Sequence, residues 1–220
     1  MDDITKKRFI TFLKRLLLVL LLLIFYITFS AVSYTNAICT NIADTVFRLH
    51  VVANSDSVED QNLKYKVRDS IIDFINSITK DAKSKAEVIT IAQEHLEEIE
   101  EIAYQTVRDY GYDYDVTVSI GNFIFPTKQY GDISLPAGYY DALRVEIGSA
   151  SGQNWWCVMF PPLCFVDVTS GIVPDESKDL MKENLEPEEY NLISQSSPDI
   201  KFKFKIVEVL QNLNISGIFM

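Results

Sequence analysis

Residues 46–69 read VFRLHVVANSDSVEDQNLKYKVRD and set the first half of the fold. From Val46 to Ala53, apolar and polar residues alternate and then give way to a wholly apolar run, as in a partly buried β-strand. Turn-forming and helix-capping residues follow at 54–57, and Ser57 can cap a helix that carries Asp60 in its first turn. The stretch therefore predicts a strand, a capped turn and a helix, in that order.

Two amphipathic helices are predicted after that strand. Apolar residues recur every three or four positions through two segments, which is the spacing of one helix face. The first stripe is Leu63, Val67, Ile71, Phe74 and Ile78, and the second is Val88, Ala92, Leu96, Ile99, Ala103 and Val107. Gly111 is expected to end the second helix, because glycine readily adopts the left-handed conformation that closes helices.

The second half of the chain has the period of β-strands. Strict alternation over 112–120 predicts a half-buried strand, and Gly121-Asn122 is expected to end it before a new strand starts near Phe123. A further strand is predicted over 138–147, and a turn at 148–152 returns the chain into an apolar strand at 155–160. Residues 175–197 suggest short helices or a loop, and 201–210 suggest a last strand and helix.

The fold class predicted from this order is α+β. An N-terminal membrane segment precedes one domain, expected over 45–214, that has a strand, two amphipathic helices and then a mainly antiparallel sheet. No internal repeat and no long flexible linker divides this domain.

The N-terminal residues 1–34 are expected to form a cytoplasmic stub and a signal anchor. Leu16 to Phe29 carries no charge, and the apolar stretch extends over 9–33 if Lys14 and Arg15 reach back to the headgroups. Five cations precede the apolar core, which places the N-terminus in the cytoplasm and the rest of the chain outside. A signal peptide cleaved near Ala31-Val32-Ser33 is the alternative.

Charge and cysteines limit the function further. The chain has a net charge of −11 although its N-terminal segment is basic, so the exported part is strongly acidic and unsuited to nucleic acid. Cys157 and Cys164 flank two prolines, and a disulfide between them is a candidate outside the cytoplasm. Two buried thiols are the alternative, and Cys39 has no evident partner.

The sequence offers no catalytic set. His50, Ser55 and Asp56 are close together, but no strained glycine turn surrounds Ser55 to expose it as a nucleophile. We find no phosphate-binding glycine loop and no spacing of metal ligands, so no cofactor, no metal and no small-molecule substrate are predicted. Two facing carboxylates, as glycoside hydrolysis requires, are not excluded by sequence.

Two stretches, 48–69 and 154–165, have sequences that are more particular than a purely structural role requires. The second contains Trp155 and Trp156, which face opposite sides of a strand, so that one of them could anchor a protein partner. Both stretches closely resemble stage II sporulation protein R of endospore-forming bacteria. The resemblance also covers the N-terminal apolar segment and the length of the exported domain.

This resemblance implies a signalling protein rather than an enzyme. Members of the family are exported from the forespore into the space between the two membranes, where they trigger a membrane-embedded aspartic protease, the sporulation protein GA. That protease then processes the sigma-E precursor. Candidate contacts with the partner are Arg48, His50, Asn54, Asp56, Asp60, Lys64, Arg68, Trp155 and Trp156. An extracytoplasmic hydrolase and a structural envelope protein are the alternative functions.

Overall fold

The computed structural model describes residues 3–163 and 173–194. The chain divides into two compact units, Met1–Ile38 and Cys39–Met220. The helices are α1 (Asp3–Thr45), α2 (Val58–Thr79), α3 (Lys85–Glu94), α4 (Leu96–Asp109), α5 (Asp175–Asn184) and α6 (Pro187–Ser194). The strands are β1 (Phe47–Val52), β2 (Val116–Phe125), β3 (Lys128–Tyr130), β4 (Ile133–Leu135), β5 (Gly138–Ile147) and β6 (Asn154–Phe160).

Helix α1 carries the apolar N-terminal segment. The helical segment 6–45 is long and apolar enough to cross a membrane. Its most apolar stretch has a mean hydropathy of 2.7, and 0% of that stretch is buried. A signal sequence at the N-terminus would have the same properties. Its large apolar side chains between Phe9 and Phe29 are exposed, which suits a helix that is placed in a bilayer or removed as a signal peptide.

Four strands form the main sheet in the order β2-β5-β1-β6. Strand β5 pairs antiparallel with β2 and parallel with β1, and β1 pairs antiparallel with β6. Strands β3 and β4 form a separate antiparallel hairpin. The α+β class and the mostly antiparallel sheet are thereby confirmed.

One face of the sheet is covered by the helices that follow β1. Alternate residues of β1, Phe47, Leu49 and Val51, are fully buried in a cluster with Leu143, Val145 and Ile147 of β5. The apolar stripes of α2, α3 and α4 complete this cluster through Val67, Ile71, Val88, Ile99 and Val107. Side chains of the intervening residues of β1 and β5 therefore lie on the opposite face, where the candidate site is found.

Ser57 caps α2 as predicted, and its hydroxyl accepts the backbone N–H of Asp60 at 3.1 Å. The second apolar stripe was wrongly predicted to be a single helix. It forms α3 and α4, because the backbone of His95 departs from helical geometry, with φ −107° and ψ 18°. The His95 N–H still donates to the Ile91 carbonyl, and the His95 carbonyl accepts the Ile99 N–H. Gly111 follows α4 with φ +84°, and the Tyr112 N–H donates to the Val107 carbonyl across it, which closes the helix as expected.

One expectation about the sheet was also wrong. Gly121 and Asn122 do not end a strand, because β2 pairs with β5 without interruption from Val116 to Phe125. The turn after β5 returns the chain into β6 as predicted, and β1 lies between these two strands in the sheet. Residues 175–194 form α5 and α6, whereas the strand and helix predicted over 201–210 lie outside the described residues.

Candidate functional site

The face of the sheet opposite α2, α3 and α4 carries charged and aromatic residues. Arg48 and His50 alternate along β1 with the core residues and therefore lie on this face. Arg48 is level with Ala142 of β5 and Val158 of β6, and His50 is level with Arg144 and Trp156. The strand register thus brings three candidate residues predicted from sequence, Arg48, His50 and Trp156, to one face of the sheet.

Arg48 is fully buried in an aromatic cage. Its guanidinium carbon lies 4.1 Å from the ring centre of Phe125 and 4.6 Å from that of Tyr140. Its Nη2 donates to the hydroxyl of Tyr130 on the β3–β4 hairpin at 2.6 Å, and burial raises the pKa of that hydroxyl. Cation–π contacts therefore replace the carboxylate that a buried arginine commonly requires.

His50 lies beside this cage and is 9% exposed. Its ring stacks on Trp156 with ring centres 5.8 Å apart, and its Nε2 is 2.7 Å from Oδ1 of Asn154. Burial lowers the pKa of His50, although the contact with Asn154 opposes this shift. The imidazole is therefore favoured in its neutral form on this surface.

Sequence reasoning missed several residues of this face. Lys128 places its Nζ 4.4 Å from the ring centre of Trp156, and Arg144 lies 5.3 Å from the ring centre of Phe123. The guanidinium of Arg144 also donates to Glu146 at 2.7 Å. These residues come together only because of the strand order and of the position of the β3–β4 hairpin, and both depend on contacts between distant parts of the chain.

A second group of candidates lies in the β1–α2 loop around Asp60. Asp60 is only 4% exposed, and its Oδ2 accepts bonds from Asn54 at 2.8 Å and Ser55 at 2.5 Å. Burial opposes ionisation of Asp60, but hydrogen bonds from Ser55, Asn54, Tyr114 and Ser57 outweigh it, and the pKa is lowered. These residues stabilise the loop through hydrogen bonds to an ionised Asp60.

The same loop is fastened to the turn between β5 and β6. Oδ1 of Asn54 accepts the Ser149 N–H at 2.9 Å, and Oδ1 of Asp56 accepts the Gln153 N–H at 2.7 Å. Lys64, itself buried, donates to the Gln153 carbonyl at 3.2 Å. Asn54, Asp56 and Lys64 thus have an architectural role that the sequence did not reveal.

The remaining candidates, Arg68 and Trp155, lie on the helical side of the sheet. The guanidinium of Arg68 lies 4.3 Å from the ring centre of Trp155 and 5.0 Å from that of Tyr65. Tyr65 packs edge-on against Trp155 with ring centres 5.5 Å apart. The adjacent tryptophans therefore face opposite sides of β6, and each is partly exposed.

Comparison with known proteins gives the same family as the resemblance. Residues 43–170 match the family model described as stage II sporulation protein R. The chain belongs to the stage II sporulation protein R family. It is similar to stage II sporulation protein R of Bacillus subtilis (strain 168), with 41% identity over 138 residues, or 63% of this chain and 62% of that protein. No solved structure matches.

The part of this sporulation protein that matches the family contains β1, the capped loop and β6. It therefore includes both the charged face and the Asp60 network. Cys157 is buried, but Cys164 lies outside the described residues, so the candidate disulfide stays a prediction. Cys39 is buried and free.

A nucleophile–base pair of Ser55 and His50 has no geometric support in the described part of this sporulation protein. Ser55 donates to Asp60 and His50 contacts Asn154, so no hydrogen bond joins Ser55 to His50 among the residues described. Within residues 3–163 and 173–194, no three metal-binding side chains cluster. The face is suited to non-covalent contact, since it has aromatic rings and cations of the kind that anchor interfaces.

The Asp60 network predicts a particular dependence of stability on pH. Because the folded-state pKa of Asp60 is below its unfolded value of about 3.9, ionised Asp60 stabilises the fold at neutral pH. This stabilisation is lost as the pH falls below about 4 toward the folded-state pKa. Asp60→Asn should lower the free energy of unfolding at pH 7 by about 2 kcal/mol.

Urea unfolding of the full chain in detergent micelles between pH 7 and pH 3 would measure this effect. The difference between wild type and Asp60→Asn should shrink at the acid end. Asp73→Asn on the exposed side of α2 is the control and should change little. A difference for Asp60→Asn that stays constant over the whole pH range would contradict an ionised network.

Proposed function

We propose that this protein is an intercompartmental signal of sporulation that triggers a membrane-embedded aspartic protease, the sporulation protein GA, to process the sigma-E precursor. The observation that carries the proposal is the family match over residues 43–170. Its sporulation role follows from the family, while the protease and its substrate come from the resemblance. The similarity covers 62% of the Bacillus subtilis protein, so the activity of the whole protein is part of the proposal.

The location that we propose is the space between the forespore and mother-cell membranes. Helix α1 supports export, because an apolar N-terminal helix preceded by cations acts as a signal anchor or as a cleaved signal. The domain beyond it is then either anchored through residues 9–33 or secreted. In both cases it can reach the outward face of a protease in the opposing membrane.

The mechanism that we propose is activation by binding, without chemistry in this protein. A ligand shifts its partner toward an active arrangement only by its higher affinity for that arrangement. The charged face around His50 and Trp156 and the stack of Arg68 on Trp155 offer two rigid aromatic surfaces for such contact. Aromatic residues and arginine are the types enriched in the energetic centres of interfaces.

Reconstitution in vegetative cells tests this function. The full chain would be expressed with the sporulation protease and the sigma-E precursor, and precursor cleavage would be followed on a blot. Cleavage is expected only when this protein is exported. The control is the same chain without residues 1–34, which should remain in the cytoplasm and give no cleavage.

The opposite outcomes distinguish the alternatives. An exported, folded chain that produces no cleavage would reject the signalling function. Turnover of cell-wall or peptide substrates that is lost in His50→Ala would then support the hydrolase. Without any such turnover, an envelope defect in proportion to the amount of protein would support a structural function.

A further inference from the structure

A strip of cationic and aromatic residues crosses the open face of the main sheet. It runs from Lys128 over Trp156 and His50 to Arg144 and Phe123, and we call it the cross-sheet strip. Trp156, His50 and Arg144 are level with one another on β6, β1 and β5. The side chain of Arg144 is 33% exposed, and Lys128, Trp156 and Phe123 are also partly exposed. The strip is therefore accessible, unlike the caged Arg48 next to it.

Unpaired polar atoms concentrate on this face. Within the described residues, buried N–H donors that have no hydrogen-bond partner include Nε1 of Trp156 and Nε of Arg144. Nε and Nη1 of Arg48 are unpaired on the same side of β1. Buried N–H groups normally find an acceptor, so this concentration indicates that a partner supplies acceptors.

The charge of the strip is opposite to that of the chain. Lys128 and Arg144 contribute two positive charges, and Glu146, bonded to Arg144, is the nearest negative charge on the face. The whole chain has a net charge of −11. A local cationic strip on an acidic protein disfavours basic surfaces at the strip and directs an acidic group to this location.

We propose that the cross-sheet strip binds an extended acidic segment of a protein partner, whose carboxylates contact Lys128 and Arg144. Lys128 lies over Trp156, and Trp156 and Arg144 are two strand spacings apart, about 10 Å, so a single carboxylate cannot serve both cations. An extended segment rises about 3.3 Å per residue and can present two acidic side chains over that distance. The proposal rests on the proposed function, since it names the surface and the partner chemistry of the signal.

Binding can be measured with hexaglutamate as the probe. Fluorescein-labelled hexaglutamate would be titrated with the full chain in uncharged detergent micelles, and anisotropy would report the Kd. Arg144→Ala and Lys128→Ala should each raise the Kd about tenfold, the effect of losing one charge-assisted contact. Glu146→Gln should lower the Kd about threefold, because it removes a carboxylate that competes for Arg144.

Lys66→Ala is the matched control, because Lys66 is an exposed lysine on α2, on the other side of the sheet. It removes the same charge and should leave the Kd unchanged. An absence of saturable binding, or an equal effect of Lys66→Ala, would overturn the proposal. Binding to phosphatidylglycerol vesicles but not to hexaglutamate would also overturn it and assign the strip to lipid.

The cell assay separates this inference from the function on which it rests. If the wild type triggers precursor cleavage and the Lys128→Ala, Arg144→Ala double variant does not at equal abundance, both the signalling function and the binding site on the strip are supported. If the double variant triggers cleavage at the wild-type level, the strip is rejected and the signalling function stands. If wild type itself fails while hexaglutamate binds as expected, the signalling function is rejected and the binding site stands.

Discussion

Gly152→Ala is expected to lower the free energy of unfolding by about 3 kcal/mol. A Cβ atom at this position would lie 2.2 Å from the carbonyl oxygen of Ser55 and 2.5 Å from its carbonyl carbon. Both are backbone atoms, so the strain cannot be relieved by rotating a side chain. Relief requires the β1–α2 loop to move away from the turn, which disrupts the bond between Gly152 N–H and the Ala53 carbonyl at 2.9 Å.

Gly138→Ala is the matched control for this substitution. Gly138 lies in β5, and the nearest atom to an added Cβ is a ring carbon of Tyr140 at 3.8 Å, an ordinary contact. Its free energy of unfolding should stay within about 1 kcal/mol of the wild-type value. Urea unfolding of both variants measures the difference, and equal stability of the two would show that the loop and the turn are not in close contact.

Local sequence patterns predicted most elements because the signals are local. The alternation in β1, the cap at Ser57 and the stripe of α2 depend on neighbours within a few residues. Strand β5 was predicted with the bounds that it has in the structure, since glycines precede and follow an alternating run. Helix α3 and helix α4 share one apolar stripe across their break, so the period alone could not reveal a boundary at His95.

The candidate site was only partly predictable because its geometry depends on strand order. Sequence singled out His50 and Trp156, but their contact exists because β6 pairs antiparallel with β1 in one register. Arg144 comes next to His50 only because β5 pairs with β1 in parallel, although three helices and three strands separate these two strands along the chain. Asn54 and Lys64 were predicted as candidates because they are polar residues of the 48–69 stretch. Their partners Ser149 and Gln153 are about 90 residues away, so the sequence did not reveal these contacts.

Arg48 gives the second large effect, and two substitutions separate its volume from its charge. Arg48→Ala should lower the free energy of unfolding by about 4 kcal/mol, because it leaves a cavity among Phe125, Tyr130 and Tyr140. Arg48→Met fills a similar volume with an apolar chain. It removes a desolvated cation together with two nitrogens that lack hydrogen-bond partners.

The opposing free energies of the buried guanidinium predict that Arg48→Met changes the free energy of unfolding only slightly. Cation–π contacts with Phe125 and Tyr140 contribute about 2 kcal/mol each when desolvated, and burying the guanidinium costs several kcal/mol. Since these terms largely cancel, the free energy of unfolding of Arg48→Met should be within about 2 kcal/mol of the wild-type value, as measured by urea unfolding. A loss as large as that of Arg48→Ala would contradict this cancellation and show that the charge itself holds the β3–β4 hairpin against the sheet. Full stability of Arg48→Met combined with failed precursor cleavage would instead show that the charge of the buried Arg48 is needed for signalling rather than for stability.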